Sequence, residues 1–276
     1  MLRREWLGAI AAAAALVAPL AVVKGQERVA VPLTDASKPV TLKASTMNGN
    51  IHVKGGGGKE VTVEWTTKDG SSSSSRREPK GREGMRRIDL KGGGLNVEEA
   101  NNVVQVSTSH WSEDGTLLIT VPTDASVRLN SVNGDWLRVE NIRGDVELNA
   151  TNGEIFATNV SGSVVANSSN GDIKVTLDQI TAGKAMSFVT LNGDVDVTLP
   201  PDVKARMKLQ SDHGEVWTDF EMQVDTQSRS QVEDNRSKGG RYRVKFDKAV
   251  YGTVNGGGPE YRFQTMNGDI VIRKKK

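Results

Sequence analysis

The chain contains no cysteine. That removes disulfide staples, thiol nucleophiles, thiolate metal sites and lipid attachment through cysteine, and leaves stability to packing and backbone pairing. Histidine is scarce as well: only His52, His110 and His213 could serve as bases near neutral pH. Aromatic residues are few, five Phe, five Trp and three Tyr in 276 residues, which suits thin aliphatic layers. The formal charge of +2, from 36 basic and 34 acidic residues, is too small to predict nucleic-acid binding or strong electrostatic steering. Phosphate-binding loops and zinc-ligand spacings are absent, and no cofactor is expected. Beyond one apolar run near the N-terminus, no segment could cross a membrane as a helix.

That run belongs to a targeting segment, residues 1–25. Arg3 and Arg4 form its positive start, residues 7–23 are apolar without a charge, and Lys24-Gly25 break the run before Gln26. Arg3-Arg4-Glu5-Trp6-Leu7 is similar to the twin-arginine export signal, with Trp6 where Phe is usual, and the general secretory route is the alternative. An uncleaved membrane anchor is the competing reading. On either reading the remainder leaves the cytoplasm, for the periplasm, the cell surface or the medium.

What the chain does have is glycine, 29 residues of it, placed at regular steps. Between residues 131 and 175 one phrase occurs five times: Asn133-Gly134-Asp135, Arg143-Gly144-Asp145, Asn152-Gly153-Glu154, Ser161-Gly162-Ser163 and Asn170-Gly171-Asp172. It recurs as Asn192-Gly193-Asp194, His213-Gly214-Glu215 and Asn267-Gly268-Asp269, with an early echo in Met47-Asn48-Gly49-Asn50-Ile51. Fixed self-similarity of this kind marks a repeat architecture. From Asn133 through Asn152, Asn170 and Asn192 to His213 the successive steps in numbering are 19, 18, 22 and 21. One unit, roughly 18–22 residues long, therefore holds two short strands and two turns.

Each part of the phrase has a physical role. Asn-Gly accepts positive φ and turns the chain sharply. The residues that follow alternate, as in Val146-Glu147-Leu148, Ile173-Lys174-Val175 and Val195-Asp196-Val197, so apolar side chains face in and charged ones out. A single unit cannot bury its apolar face, whereas stacked units share a core. The expected class is all-β: a β-solenoid of two strands per coil, with Ala157 and Ala166 fitting its narrow interior. An antiparallel hairpin array is the competitor, since Asn-Gly is also a hairpin signal. Export segment apart, no stretch has helical periodicity.

The expected organisation is an N-terminal set of strands at 26–67, a disordered loop rich in Ser and basic residues at 68–87, the repeat domain at 88–273 with a second polar loop at 225–240, and a basic tail at 274–276. The loop at 68–87 holds five consecutive serines followed by Arg76, Arg77, Lys80, Arg82, Arg86 and Arg87, and lacks apolar surface to offset ordering entropy. It reads as a solvated insertion, with a tether for anionic polymers or phospholipid as the alternative.

Several of these runs resemble a bacterial family of unknown function whose given name is "putative adhesin". They are Leu118-Ile119-Thr120-Val121-Pro122 leading to Ser131-Val132-Asn133-Gly134-Asp135, the segment from Thr190 through Asn192-Gly193-Asp194 to Leu199-Pro200, the glycine-rich Thr253-Val254-Asn255-Gly256-Gly257-Gly258-Pro259, and the ending Thr265-Met266-Asn267-Gly268-Asp269-Ile270. The resemblance covers residues 103–273 and implies an exported or surface-associated β-solenoid.

The repeat also stacks its acids. Asp135, Glu154, Asp172, Asp194 and Glu215 are expected in one column about 4.8 Å apart, where exposed like charges repel by about 0.9 kcal/mol in bulk water. A calcium ladder is one reading of that column, and acids capping solvated turns is the other. The calcium-binding nonapeptide roll needs two further glycines per turn, which favours the capping reading. Ser211, Asp212 and His213 are adjacent, but neighbours on a strand point to opposite faces and do not form a triad. Arg143-Gly144-Asp145 matches an integrin-binding tripeptide and is simply a turn of the repeat. Stacked carboxylates leave open a carbohydrate-active enzyme, against which the solvent-facing columns are expected to lack the aromatic residues of a sugar cleft. The favoured function is a non-enzymatic envelope or cell-surface scaffold that contacts an unidentified envelope protein or polymer. An envelope-stress or polymer-sensing module is the alternative.

Overall fold

A computed structural model describes residues 26–56, 58–67, 95–108, 115–225, 230–234, 242–246 and 249–276 of the chain. The segments expected as an export signal at 1–25 and as a basic serine-rich loop at 68–87, together with His110, lie outside these residues. The described residues form 21 strands and no helix.

The architecture is the expected β-solenoid, and strand pairing decides against a hairpin array. Asn133 is in register with Asn152, and Asn152 with Asn170, all in parallel pairs one repeat apart. Between the two end coils, each coil runs a strand along face one, turns at the Asn-Gly phrase, and returns along face two. Hairpins would have made those pairs antiparallel.

The order of coils along the axis differs from their order in the chain. The first coil is β6 (Val103–Thr108) and β7 (Gly115–Pro122). The second is β2 (Thr41–Asn48) and β3 (Asn50–Gly56), earlier in sequence yet inserted between the first coil and the two halves of β8 (Ser126–Glu140). Next come β9 (Val146–Gly162), then β10 (Val164–Asn170) with β11 (Ile173–Ile180), then β12 (Met186–Val189) with β13 (Val195–Leu199). The seventh coil is the chain's last segment, β20 (Glu260–Asn267) and β21 (Ile270–Lys274). It separates the sixth coil from the eighth, β14 (Ala205–His213) and β15 (Val216–Thr218). His213 therefore shares the asparagine column but follows Asn267, not Asn192 as a constant step predicts. The six coils between the two ends carry the same Asn-Gly edge chemistry, so the repeat alone does not fix which of them stacks on which.

Antiparallel strands close both ends. β5 (Leu95–Ala100) pairs with β6 through a two-residue turn at Asn101 and Asn102, whose φ values of 53° and 62° suit a hairpin. β4 (Val61–Thr67) pairs with β7, and β1 (Gln26–Val31) with β4. At the far end β19 (Val250–Val254) covers β14, and β16 (Gln223–Asp225) covers β19. Within the segment expected as a polar loop at 225–240, Asp225 ends β16 and β17 (Ser230–Asp234) is a strand paired antiparallel with β18 (Tyr242–Phe246), which satisfies backbone groups that a loop would leave to water.

The core lies between the two faces and is built by alternation. Face one contributes the row Ala44, Leu129, Leu148, Ala166, Phe188, Phe263 and Leu209, and face two the row Ile51, Leu137, Ile155, Ile173, Val195 and Ile270, all buried. Ala157 and Ala166 are fully buried in the narrow interior. Phe188 and Phe263 stack with centroids 5.2 Å apart, binding the inserted last segment to the sixth coil.

Candidate recognition surface

The turn column is made of four kinds of contact, each between neighbouring coils. Asn133 donates from Nδ2 to Asn48 Oδ1 (3.1 Å), Asn152 to Asn133 (3.0 Å), Asn170 to Asn152 (2.9 Å), Asn192 to Asn170 (2.8 Å) and Asn267 to Asn192 (2.6 Å). Each amide in the middle of this ladder both donates and accepts, which a charged side chain cannot do.

Behind the asparagines lies a glycine column. A Cβ on Gly134 would sit 2.3 Å from Gly49 O, on Gly153 2.4 Å from Gly134 O, on Gly171 2.2 Å from Gly153 O, on Gly193 2.5 Å from Gly171 O, on Gly268 2.1 Å from Gly193 O and on Gly214 1.9 Å from Gly268 O. Gly144 and Gly162 form the matching column at the other turn, each with a carbonyl 2.3 Å from an added Cβ. Close approach of the neighbouring coil, more than turn geometry alone, requires glycine here.

Two contact types were not read from the sequence. Thr190 Oγ1, Thr265 Oγ1 and Ser211 Oγ donate to Gly171, Gly193 and Gly268 carbonyls at 2.9 Å, with Ser131 and Ser168 in the same slot at 3.3 Å. A small hydroxyl residue two places before Asn was the available signal. A second asparagine ladder runs along face one, Asn149 to Asn130 (3.1 Å) and Asn167 to Asn149 (3.0 Å). It lines a shallow open groove of about 330 Å³ with Ser45, Thr151 and Ser169.

The acid column cap is built from backbone amides. Asp194 N donates to Asp172 Oδ1 (3.0 Å), Asp269 N to Asp194 Oδ1 (2.8 Å) and Glu215 N to Asp269 Oδ1 (2.8 Å), while Asn50 Oδ1 receives the Asp135 and Trp136 amides at 2.8 and 3.1 Å. Asp269 thus stands between Asp194 and Glu215, which are not direct neighbours. Lys174 Nζ lies 3.2 Å from Asp172 and 3.9 Å from Glu154, and the hydrogen bond to Asp172 raises the lysine's pKa. Among the described residues no group of three His, Cys, Asp or Glu side chains is placed to hold a metal.

The candidate chemical groups do not converge. Ser211 bonds the Gly268 carbonyl and His213 Nδ1 lies 3.3 Å from Met266 O, so both engage the neighbouring coil. At the second turn Asp145 accepts from Lys184 Nζ (2.6 and 2.7 Å) and Ser163 Oγ (2.7 Å), bonds that hold its carboxyl below the usual range. The Asp of the Arg-Gly-Asp tripeptide is already engaged.

One expectation fails. The outer columns do carry aromatics: Trp136 and Phe156 alternate with buried Leu137, Ile155 and Ala157, and a register shift inside the β8–β9 pair sets Phe156 beside Arg138. Asn133 aligns with Asn152, a step of 19, but Trp136 aligns with Glu154, a step of 18. Without that bulge Arg138 would face the buried Ala157; with it, Arg138 faces Phe156. The Arg138 guanidinium carbon lies 5.2 Å from the Trp136 ring centroid and 5.0 Å from that of Phe156, and Lys174 Nζ is 5.7 Å from Phe156 on the far side. His52 meets Trp136 edge-on at 6.1 Å and sits 3.5 Å from Glu140 without a hydrogen bond at Nε2. Trp136, Arg138 and Phe156 are all half-buried on the outer side of face two.

Two solved structures align with this chain at 11% sequence identity. One is described as a "putative cell adhesion protein" from Clostridium sporogenes ATCC 15579, with a TM-score of 0.43 over 91% of this chain and 100% of that one. The other is described as a "putative adhesin" from Bacteroides fragilis NCTC 9343, with a TM-score of 0.36 over 92% of this chain and 98% of that one. No curated protein matches the sequence. The profile of the Toastrack DUF4097 family matches residues 24–248, most of the repeat together with the N-terminal strands. The chain belongs to the Toastrack DUF4097 family.

Proposed function

We propose that the protein is an exported, non-catalytic scaffold of the cell envelope or surface that binds other envelope components along its outer faces. One observation carries the reading. The polar residues of the repeat are engaged in coil-to-coil bonds: asparagine to asparagine, acid to backbone amide, hydroxyl to glycine carbonyl. They stiffen the stack, and the strips between them form the surface a partner meets. The sequence of residues 1–25 supports export, and no helix among the described residues is long and apolar enough to cross a membrane. The polymer-binding alternative gains support from Trp136 and Phe156, which offer the kind of flat apolar surface that polymers stack against.

The test is affinity capture from an envelope extract on the immobilised full chain, with a glycan array alongside. Retention of envelope protein or polymer without turnover is the expected result. Hydrolysis of any arrayed glycan, lost on replacing Asp172 and Asp194 together by asparagine, would overturn the scaffold reading.

A further inference from the structure

We propose that Trp136, Arg138 and Phe156 form a binding site for a carboxylated saccharide. Phe156 is flanked by Arg138 and Lys174, so the sugar ring lies along the half-exposed Trp136 side chain, and its carboxylate takes the outer edge of the Arg138 guanidinium. The inference rests on the scaffold reading and names the ligand chemistry of its surface.

The geometry comes first. Trp136 and Arg138 are two residues apart on one strand, and the shifted register brings Phe156 opposite Arg138 on the next coil. The guanidinium is held between two ring faces at 5.2 and 5.0 Å. Arginine's planar fork suits bidentate bonding to a planar carboxylate, and clamping between rings lowers the entropy lost when the ligand arrives.

Charge balance points to the same residue. Arg28, Lys174 and Arg273, also on face two, have carboxylate partners: Glu64 at 3.0 Å, Asp172 at 3.2 Å and Asp196 at 3.0 Å. Arg138 has none among the described residues, and its Nε is buried without a hydrogen bond. A permanently charged group, half removed from water and stacked on rings without an ion-pair partner, gains from an incoming anion more than a paired one does.

The neighbours narrow the ligand. Glu140 lies beside His52, and Glu154 lies beside Lys174. The strip is therefore not a broad basic patch. A densely anionic partner such as nucleic acid or a phospholipid surface meets as many acids as bases here. A pyranose with a single carboxylate needs only Arg138 and the Trp136 ring, and its uncharged hydroxyls can face Glu154, the register partner of Trp136.

The experiment is isothermal titration of the full chain with oligogalacturonate, oligoglucuronate and oligomannuronate, each paired with its methyl ester. The ester keeps the ring and removes the charge. At least one acid form binds, and its ester binds at least tenfold more weakly. Arg138→Gln and Trp136→Ala weaken binding tenfold or more. Arg138→Lys weakens it too, because it keeps the charge and loses the fork. Trp217→Ala, at a 58% exposed tryptophan on the last coil and off the strip, leaves binding unchanged. Circular dichroism and melting confirm that each variant folds. Equal affinity for acid and ester, undiminished binding by Arg138→Gln, or no binding of any acid form overturns the inference. Wild-type capture of envelope material that the polyuronates do not displace and that protease removes would assign the strip to a protein partner, overturning this inference while leaving the scaffold reading in place. Capture of nothing overturns the scaffold reading itself.

Discussion

Replacing Gly171 by alanine tests whether coil spacing, and not turn conformation, makes glycine necessary in the phrase. An added Cβ would lie 2.2 Å from Gly153 O, where an unstrained carbon–oxygen contact needs about 3.3 Å. The coils must then part locally by roughly 1 Å out of a strand spacing of about 4.8 Å. Bonds that cross this junction are the Asn170 to Asn152 side-chain bond at 2.9 Å and Ile155 N to Asp172 O at 2.8 Å. Overpacking costs about 1–3 kcal/mol, positive φ (here 147°) costs a β-carbon residue about 1–2 kcal/mol, and each weakened hydrogen bond adds about 1 kcal/mol. The expected loss is thus about 4–7 kcal/mol. Two companion variants separate the causes. Gly144→Ala meets Ala125 O at 2.3 Å without a positive φ, and should cost about 1–3 kcal/mol. Gly183→Ala has φ +78° and nothing within 4 Å, and should cost only about 1–2 kcal/mol. Guanidinium unfolding at constant slope gives the three values. If Gly183→Ala proves as damaging as Gly171→Ala, close approach between coils is not the reason for the glycine column.

Other outcomes follow from the same contacts. Asn170→Ala removes one bond donated and one accepted, and should destabilise by about 1–3 kcal/mol in the same unfolding assay. Deleting residues 260–276 takes out the seventh coil, from between the sixth and the eighth. Hydrogen exchange should therefore show loss of protection in Ala205–His213 as well, and not merely a frayed end. Asp145 has its pKa lowered by the Lys184 and Ser163 hydrogen bonds, so its stabilisation is complete above the unfolded value of about 4 and is lost as pH falls through the folded value. Asp35 and Glu99 act in the same direction. The unfolding midpoint should be flat from about pH 7 to 5 and decline below about 4. Asp145→Asn should remove a small part of that decline, about 0.5 kcal/mol or less, since the pair is half exposed. Millimolar calcium should leave the melting temperature unchanged, because the acid column already accepts backbone amides. A rise of several degrees would restore the cation ladder.

The sequence by itself determined the coil. Asn-Gly turns, an acid after the glycine and alternating Val, Ile and Leu act within a few residues of one another, and their steps of 19 and 18 from Asn133 to Asn170 match the strand register observed. Tertiary structure decided two things that no local pattern holds. One is the stacking order, because all copies of the phrase present the same ladder chemistry. Residues 41–56 and 260–274 can therefore enter between coils distant in sequence, with antiparallel strands such as β5 and β19 closing the ends. The other is the aromatic strip. A repeat step of 19 places Arg138 against Ala157, and only the bulge within β8 and β9 moves it onto Phe156. Strand period 2 makes a one-residue shift exchange inside for outside, so a single irregularity, invisible in composition, placed Arg138 opposite Phe156 on the surface where recognition is proposed.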